Sequence, residues 1–247
     1  MRQVTRRGTA AALFGCSHPG PAVAMTVVLT TSAALSGRSL PQCALVAGTM
    51  ASGQLTVGWI NDVVDLDRDR AAGRQDKPLV TGRIDTATVV RATVVATAAV
   101  LPLSLANGTT SGLAHLGAVG SAWVYDLWLK RTVLSWTPYA VSFGLLPSFL
   151  SYGGFGLGPH GAPPPVSMTV SAALLGVGIH VLNVLPDLDE DELNEVRHLP
   201  LLVERSVGTR PLAAGALSLC LVAGAGVVRA ALRSRSTGAV RLQRVRG

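Results

Sequence analysis

Residues 59–86, WINDVVDLDRDRAAGRQDKPLVTGRIDT, end a long apolar run and decide how the rest of the chain is read. Asn61, Asp65 and Asp69 recur there at steps of four. On a helix these side chains share one face, a turn apart, with little drift around the axis. Such a stripe suits Mg²⁺, a hard ion held by a few carboxylates together with phosphate oxygens. The spacing therefore nominates Asn61, Asp65 and Asp69 as metal ligands. Arg70, Arg74, Lys77 and Arg83 follow, and cations suit phosphate oxygens that no metal holds. Arg74 and Lys77 are expected to close over a diphosphate as a lid, and Arg83 to lie at the surface. Asp62 and Asp67 fall off the stripe.

A second stretch, HVLNVLPDLDEDE at residues 180–192, places Asn183, Asp187 and Asp191 at the same steps of four. Asp189 falls off this stripe, and Glu190 is a secondary candidate. The chain has 14 Asp and Glu, of which six lie from Asp62 to Asp85 and seven from Asp187 to Glu204. Only Asp126 stands outside. Acids that merely solubilised a globule would be scattered over its surface. Two acidic clusters, each closing an apolar helix, point instead to a metal–diphosphate site at a membrane surface.

These residues also carry a resemblance. GQLTVGWINDVVDLDRDRAAGRQDKPLVTGRI (residues 53–84) resembles the first signature of the UbiA-type membrane prenyltransferases, NxxxDxxxD followed by a basic KPL or RPL segment. NVLPDLDED (residues 183–191) resembles their second aspartate signature, and YDLWLKRTVLSWTPYAVSFGLLP (residues 125–147) the segment between. The resemblance implies an all-α, multi-pass membrane bundle that uses Mg²⁺ and a prenyl diphosphate. It implies a second substrate too, a small acceptor that is usually aromatic. Asp65, Asp69, Asp187 and Asp191 then carry the catalytic metal, with Asn61 and Asn183 as amide ligands or orienting groups. Lys130 is implied as a diphosphate contact, Tyr125 as a hydrogen-bond donor beside it, and His180 as a residue near the second signature.

Composition agrees with a membrane protein. The chain is 49% hydrophobic and 14% charged, with a mean hydropathy of +0.42, too apolar for an ordinary soluble domain. Apolar runs at 21–35, 42–60, 86–105, 113–129, 133–152, 166–185 and 211–231 predict about seven spanning helices. Their abundant Gly and Ala suit close helix packing in lipid. Residues 1–17 are expected to form a loose cytoplasmic segment, 18–231 the bundle, and 232–247 a basic tail. With the N-terminus inside, both aspartate stretches and Lys130–Arg131 fall on the cytoplasmic face of a bacterial plasma membrane. The loops near Asn107 and Gly153 carry no Lys or Arg, as the positive-inside rule requires.

The net charge of +7 does not mark a nucleic-acid binder. Six arginines from Arg229 to Arg246 hold the excess and leave +1 for the rest. Cys16, Cys43 and Cys220 lack metal or disulfide spacing, and His18, His115, His160 and His198 form no constellation in sequence. No GxxxxGK[ST] or dinucleotide fingerprint occurs.

Several functions compete with prenyl transfer to an acceptor. A terpene cyclase on the same scaffold would use the diphosphate alone. A CDP-alcohol phosphatidyltransferase would need a DG and AR pattern that neither cluster supplies. A cation transporter would place its carboxylates near mid-span, whereas both clusters lie at span ends. The family usually has about nine spanning helices, and only one apolar run follows the second signature here. A truncated member of reduced activity, or an inactive remnant, is the expectation drawn from that ending.

Overall fold

Every apolar run read from the sequence forms a helix in the computed structural model, which describes residues 6–156, 160–193 and 196–246, with side chains from Gly8 to Ser234. The helices are α1 (Arg6–Gly15), α2 (Pro19–Leu35), α3 (Leu40–Val64), α4 (Leu66–Ala71), α5 (Thr86–Leu105), α6 (Thr109–Val124), α7 (Trp136–Ser151), α8 (Val166–Val184), α9 (Leu188–Leu193), α10 (Leu199–Val207) and α11 (Thr209–Arg246). A π turn, Tyr125–Leu129, extends α6, and a 3₁₀ turn, Leu185–Asp187, joins α8 to α9. No strand occurs among the described residues.

The long helices run up and down, and each packs chiefly on its neighbours in sequence: α2 on α3, α3 on α5, α5 on α6, α6 on α7, α7 on α8, α8 on α11. Alternation of direction therefore brings the ends of α3 and α8, with the start of α11, to one end of the bundle. Local chemistry sets the helix boundaries. Ser39 and Gln42 form a capping box at the start of α3, and Asp85 accepts from the Thr88 amide at 2.8 Å to start α5.

Four helical segments are long and apolar enough to cross a membrane alone, and α1 with α2, bent by 78°, makes a fifth if counted as one span. The expected seven crossings are thus seven bundle helices of unequal length. Helices α6 and α7 have 16 residues each, short of the ~20 that a straight crossing needs. The π turn adds length to α6. Apolar side chains on the outside, among them Val27, Val28, Val94, Val95, Leu221 and Val222, are exposed, as a lipid-facing surface demands.

The N-terminal segment is more ordered than the loose segment expected. From Arg6 to Gly15 it is a helix, and Ala12 within it and Cys16 just after it join a core with Trp59, Leu66, Leu79, Ile84 and Val89. Trp59 Nε1 donates to the Leu13 carbonyl at 2.8 Å, and the bend between α1 and α2 lies on Gly58. A Cβ at Gly58 would come within 2.5 Å of the Ser17 carbonyl oxygen, a backbone atom that cannot swing aside. Gly58→Ala is expected to destabilise the protein by about 1–3 kcal/mol, read as a lower Tm in detergent. An unchanged Tm would contradict this close seat.

The opposite end holds a positive charge that the loop reading missed. Arg38, between α2 and α3, donates to the Leu150 carbonyl at 2.6 Å and so caps the end of α7. Its charge serves a helix terminus there.

Candidate active site

Helix α3 ends at Val64, but the hydrogen bonds scarcely break. Asp65 N donates to Asn61 O at 2.9 Å and Asp69 N to Asp65 O at 2.8 Å. The i to i+4 ladder thus carries through α4, and the stripe read from sequence survives the join. Asp65 and Asp69 are buried at the bundle end, and Asn61 is half-buried.

Each acid faces a cation from another element or the same turn. Lys130 Nζ donates to Asp65 Oδ1 at 2.6 Å. Lys77 Nζ lies 3.7 Å from Asp69 Oδ2 and also bonds Asp62 Oδ1. Arg68 Nη1 donates to Asp191 Oδ1 at 3.1 Å, with its Nη2 3.9 Å from Asp65 Oδ2 and its Nε 3.7 Å from Glu190 Oε1. Arg68 therefore joins the first aspartate stretch to the second. Burial pulls its guanidinium down, but Asp65, Asp191 and Glu190 outweigh that, and it stays above its ordinary pKa. Burial pushes the Asp69 carboxyl up, Asp65 and Asp62 add to this, and Lys77 opposes it.

The loop carrying Lys77 is pinned in place. Leu79 and Ile84 sit in the core under α3, and the chain turns back through Arg83 N to Pro78 O at 3.0 Å. Arg74 points outward to Asp76 through contacts of 3.2 and 3.3 Å, and stays within electrostatic reach of Asp69 and Asp187. Arg83 bonds Thr81 and the Asp76 carbonyl within the same loop.

The second stretch does not continue as one straight helix. Pro186 falls in the 3₁₀ turn, which resets the phase between Asn183 and Asp191. Asn183 is exposed and donates to Tyr139 Oη at 3.2 Å; Asp187 is half-buried. Asp191 is buried, with one oxygen on Arg68 and the other 2.9 Å from His198 Nε2. The Leu201 amide donates to His198 Nδ1 at 3.1 Å, which leaves the ring proton on Nε2 to be donated to Asp191.

The segment between the two stretches enters through the π turn. Lys130 N bonds Tyr125 O at 2.9 Å, an i to i+5 bond. On a regular α-helix residues five apart would diverge by about 140°, and the wider turn reduces that angle. Lys130 thus reaches Asp65 while the Tyr125 ring packs edge-on to Tyr139 at 5.1 Å and to His180 at 5.6 Å. Tyr139 and His180 are 4.9 Å apart between centroids, and Ser135 holds His180 Nε2 at 3.0 Å. An aromatic group therefore borders the ion pairs.

Sequence spacing brought out the stripe but missed Arg68, Asp62, Asp126, Tyr139, His18 and His198. Asp62 lies off the stripe as expected, yet it is buried, with His18 Nε2 3.0 Å from its Oδ1. Asp67 is 99% exposed in its side chain, a plain surface acid. Arg68, three residues after Asp65, had a detectable signal in that helical offset. His18 and His198 arrive from loops, and no local periodicity announces them.

Among the described residues, no three His, Cys, Asp or Glu side chains are gathered closely enough to hold an ion. The donors nonetheless fit Mg²⁺ in kind, since they are carboxylate oxygens whose negative charge lysine and arginine now balance.

Comparisons with known proteins agree with the fold. A structure of a UbiA homolog from Archaeoglobus fulgidus bound to GPP and Mg²⁺ is similar at TM-score 0.68 and 17% identity, covering 92% of this chain and 87% of that one. The same homolog bound to DMAPP and Mg²⁺ gives TM-score 0.67 at 18% identity, with the same coverage. The apo structure of a UbiA homolog from Aeropyrum pernix K1 gives 0.58 at 18% identity, covering 90% and 77%. At such identities the likeness establishes the fold. No curated protein matches the sequence. The model of the UbiA prenyltransferase family matches residues 22–236, most of the chain, and this integral membrane protein belongs to that family.

Proposed function

We propose that the protein transfers a prenyl group from an allylic prenyl diphosphate to a small aromatic acceptor, with Mg²⁺ as cofactor. The observation that carries this reading is the joining of two distant acidic stretches by Arg68 at one end of the bundle. The structures of the Archaeoglobus fulgidus homolog, bound to GPP or DMAPP with Mg²⁺, support the choice of diphosphate and metal.

In this reading Asn61, Asp65, Asp69, Asp187 and Asp191 hold the metal. Bound Mg²⁺ supplies Lewis-acid stabilisation of the leaving diphosphate. The protein's own cations then exchange partners. Lys130 would then release Asp65 and Lys77 would release Asp69, freeing both carboxylates to hold the metal and both ammonium groups to meet phosphate oxygens. The exchange keeps the charges of these pairs compensated, which matters because unit charges 4 Å apart interact by about 4 kcal/mol at an effective dielectric of 20. Arg74 gives up Asp76 to cover the diphosphate from the loop side. Tyr125, Tyr139 and His180 offer ring faces to the allylic cation and shield it from water. The ring of the acceptor attacks that cation, a new C–C bond replaces the C–O bond broken as diphosphate leaves, and the attacked ring carbon gives up its proton to the departing diphosphate to restore aromaticity.

Mass spectrometry of the purified protein given Mg²⁺, geranyl diphosphate and a panel of hydroxylated aromatics tests the proposal. A prenylated aromatic that disappears with chelator is expected. A cyclised or hydroxylated terpene formed equally well without any acceptor would replace the transferase reading with the cyclase one.

The orientation is proposed as well. Lys77, Lys130, Arg131, Arg197 and Arg205 cluster at the site end, which supports placing it on the cytoplasmic face. Cysteines introduced at Gln75 and Glu192, both exposed, are expected to react with an impermeant maleimide only from the cytoplasmic side, and one at Ala162 only from the other. Labelling of Gln75→Cys and Glu192→Cys from opposite sides would exclude a shared site.

A further inference from the structure

Asp126 is the one acid outside the two acidic stretches, and it has no part in the ion pairs described above. It sits on the π turn, next to Tyr125 and four residues before Lys130, and is 3% exposed. Its Oδ1 accepts a hydrogen bond from Asn61 Nδ2 at 2.9 Å. Its Oδ2 is buried without a hydrogen-bond partner among the described residues. A carboxylate left half-partnered in an apolar bundle costs stability, so packing does not explain its presence. An apolar residue of similar volume would hold the turn better.

The contact does settle one matter. A carboxylate can only accept, so Asn61 must present its nitrogen to Asp126 and turn its oxygen elsewhere. Asn61 lies one turn before Asp65 on the same helix. We infer that Asp126 is a positioning residue: through the Asn61 amide it fixes Asn61 Oδ1 as an oxygen available to the metal. The π turn fits this role, because such turns re-aim a helix at functional sites. Here the turn sets Asp126 against Asn61 while Lys130 still meets Asp65. The inference rests on the metal–diphosphate reading of the site and adds a residue that the aspartate stretches do not contain.

Binding of Mn²⁺ to the full chain in detergent, followed by the EPR signal of free Mn²⁺, tests it without turnover. Asp126→Ala is expected to weaken Mn²⁺ binding about 10- to 100-fold, the usual effect of removing a partner of a metal ligand. Asn61→Ala should weaken it comparably, and the double variant no further, because both changes remove one function. Asp126→Asn still offers an oxygen to Asn61 Nδ2 and should bind like the parent. Asp126→Ser is too short to reach Asn61 and should match Asp126→Ala, which covers failure of the alanine variant to fold. Parental affinity in Asp126→Ala or Asp126→Ser would overturn the inference, as would additive losses in the double variant or a full loss in Asp126→Asn. Asp65→Ala separates the two levels. If it too binds Mn²⁺ normally, the metal reading falls and takes this inference with it; if it alone loses binding, only the role of Asp126 falls.

Discussion

Asp65→Ala is expected to lower prenyl transfer by about a thousandfold or more, at the upper end of what removing one stabilising group of a transition state produces. Asp65 lies at the centre of the stripe, one turn from both Asn61 and Asp69, and its carboxylate meets cations from two directions. Removing it takes away an oxygen donor and leaves the Lys130 ammonium, 9% exposed, without its nearest anion. That lysine is then drawn to Asp126 or to the diphosphate in an unproductive position. Asp65→Asn keeps the volume and one oxygen but not the charge, and is expected to fall almost as far. Turnover by detergent-solubilised protein, normalised to the fraction that elutes as folded, measures both. Activity within tenfold of the parent in Asp65→Ala would exclude Asp65 from the reacting centre.

Arg68→Ala is expected to act first on stability. The guanidinium lies between Asp65, Glu190 and Asp191 and ties α4 directly to α9. Without it Asp191 keeps His198 as its side-chain partner among the described residues, and two acids from different stretches face each other with less positive charge between them. Breaking such a partly buried network costs about 2–4 kcal/mol, somewhat below the fully buried case because the arginine is 22% exposed. A second effect separates this account from simple loss of packing. Mg²⁺ is expected to raise the Tm of Arg68→Ala by more than it raises that of the parent, because the ion supplies the charge that the arginine provided. Equal Tm values in chelator, or a variant indifferent to Mg²⁺, would contradict the bridging role.

Much of this site is legible in the chain because its first half obeys a helical period. Steps of four at Asn61, Asp65 and Asp69 need only the ladder to continue, and it does so across the join at Asp65. The seven apolar runs were readable for the same reason, since length and composition alone produce them. The second half was less legible. Pro186 turns three residues into a 3₁₀ segment, so equal spacing no longer means one face. His198 reaches Asp191 through the return of the chain into α10, a tertiary event with no local signature. Asp126 stood out as the lone acid between the clusters but was given no role, because an isolated acid near a span end is most often a solvated one. Its burial and its bond to Asn61 depend on the π turn, which spacing on an α-helix cannot anticipate. The N-terminal helix was missed because Ala12 and Leu13 gain their meaning only against Trp59 and Leu79.

Equilibrium binding of radiolabelled geranyl thiolodiphosphate, a slow-reacting analogue, shows whether both acidic stretches serve one site. Purified protein, Asp65→Ala and Asp191→Ala are compared with Mg²⁺ and with chelator. Mg²⁺-dependent binding by the parent and its loss in each variant are expected, since each variant removes one half of the clamp. Metal-independent binding, or full Mg²⁺-dependent binding by Asp191→Ala, would contradict a shared site.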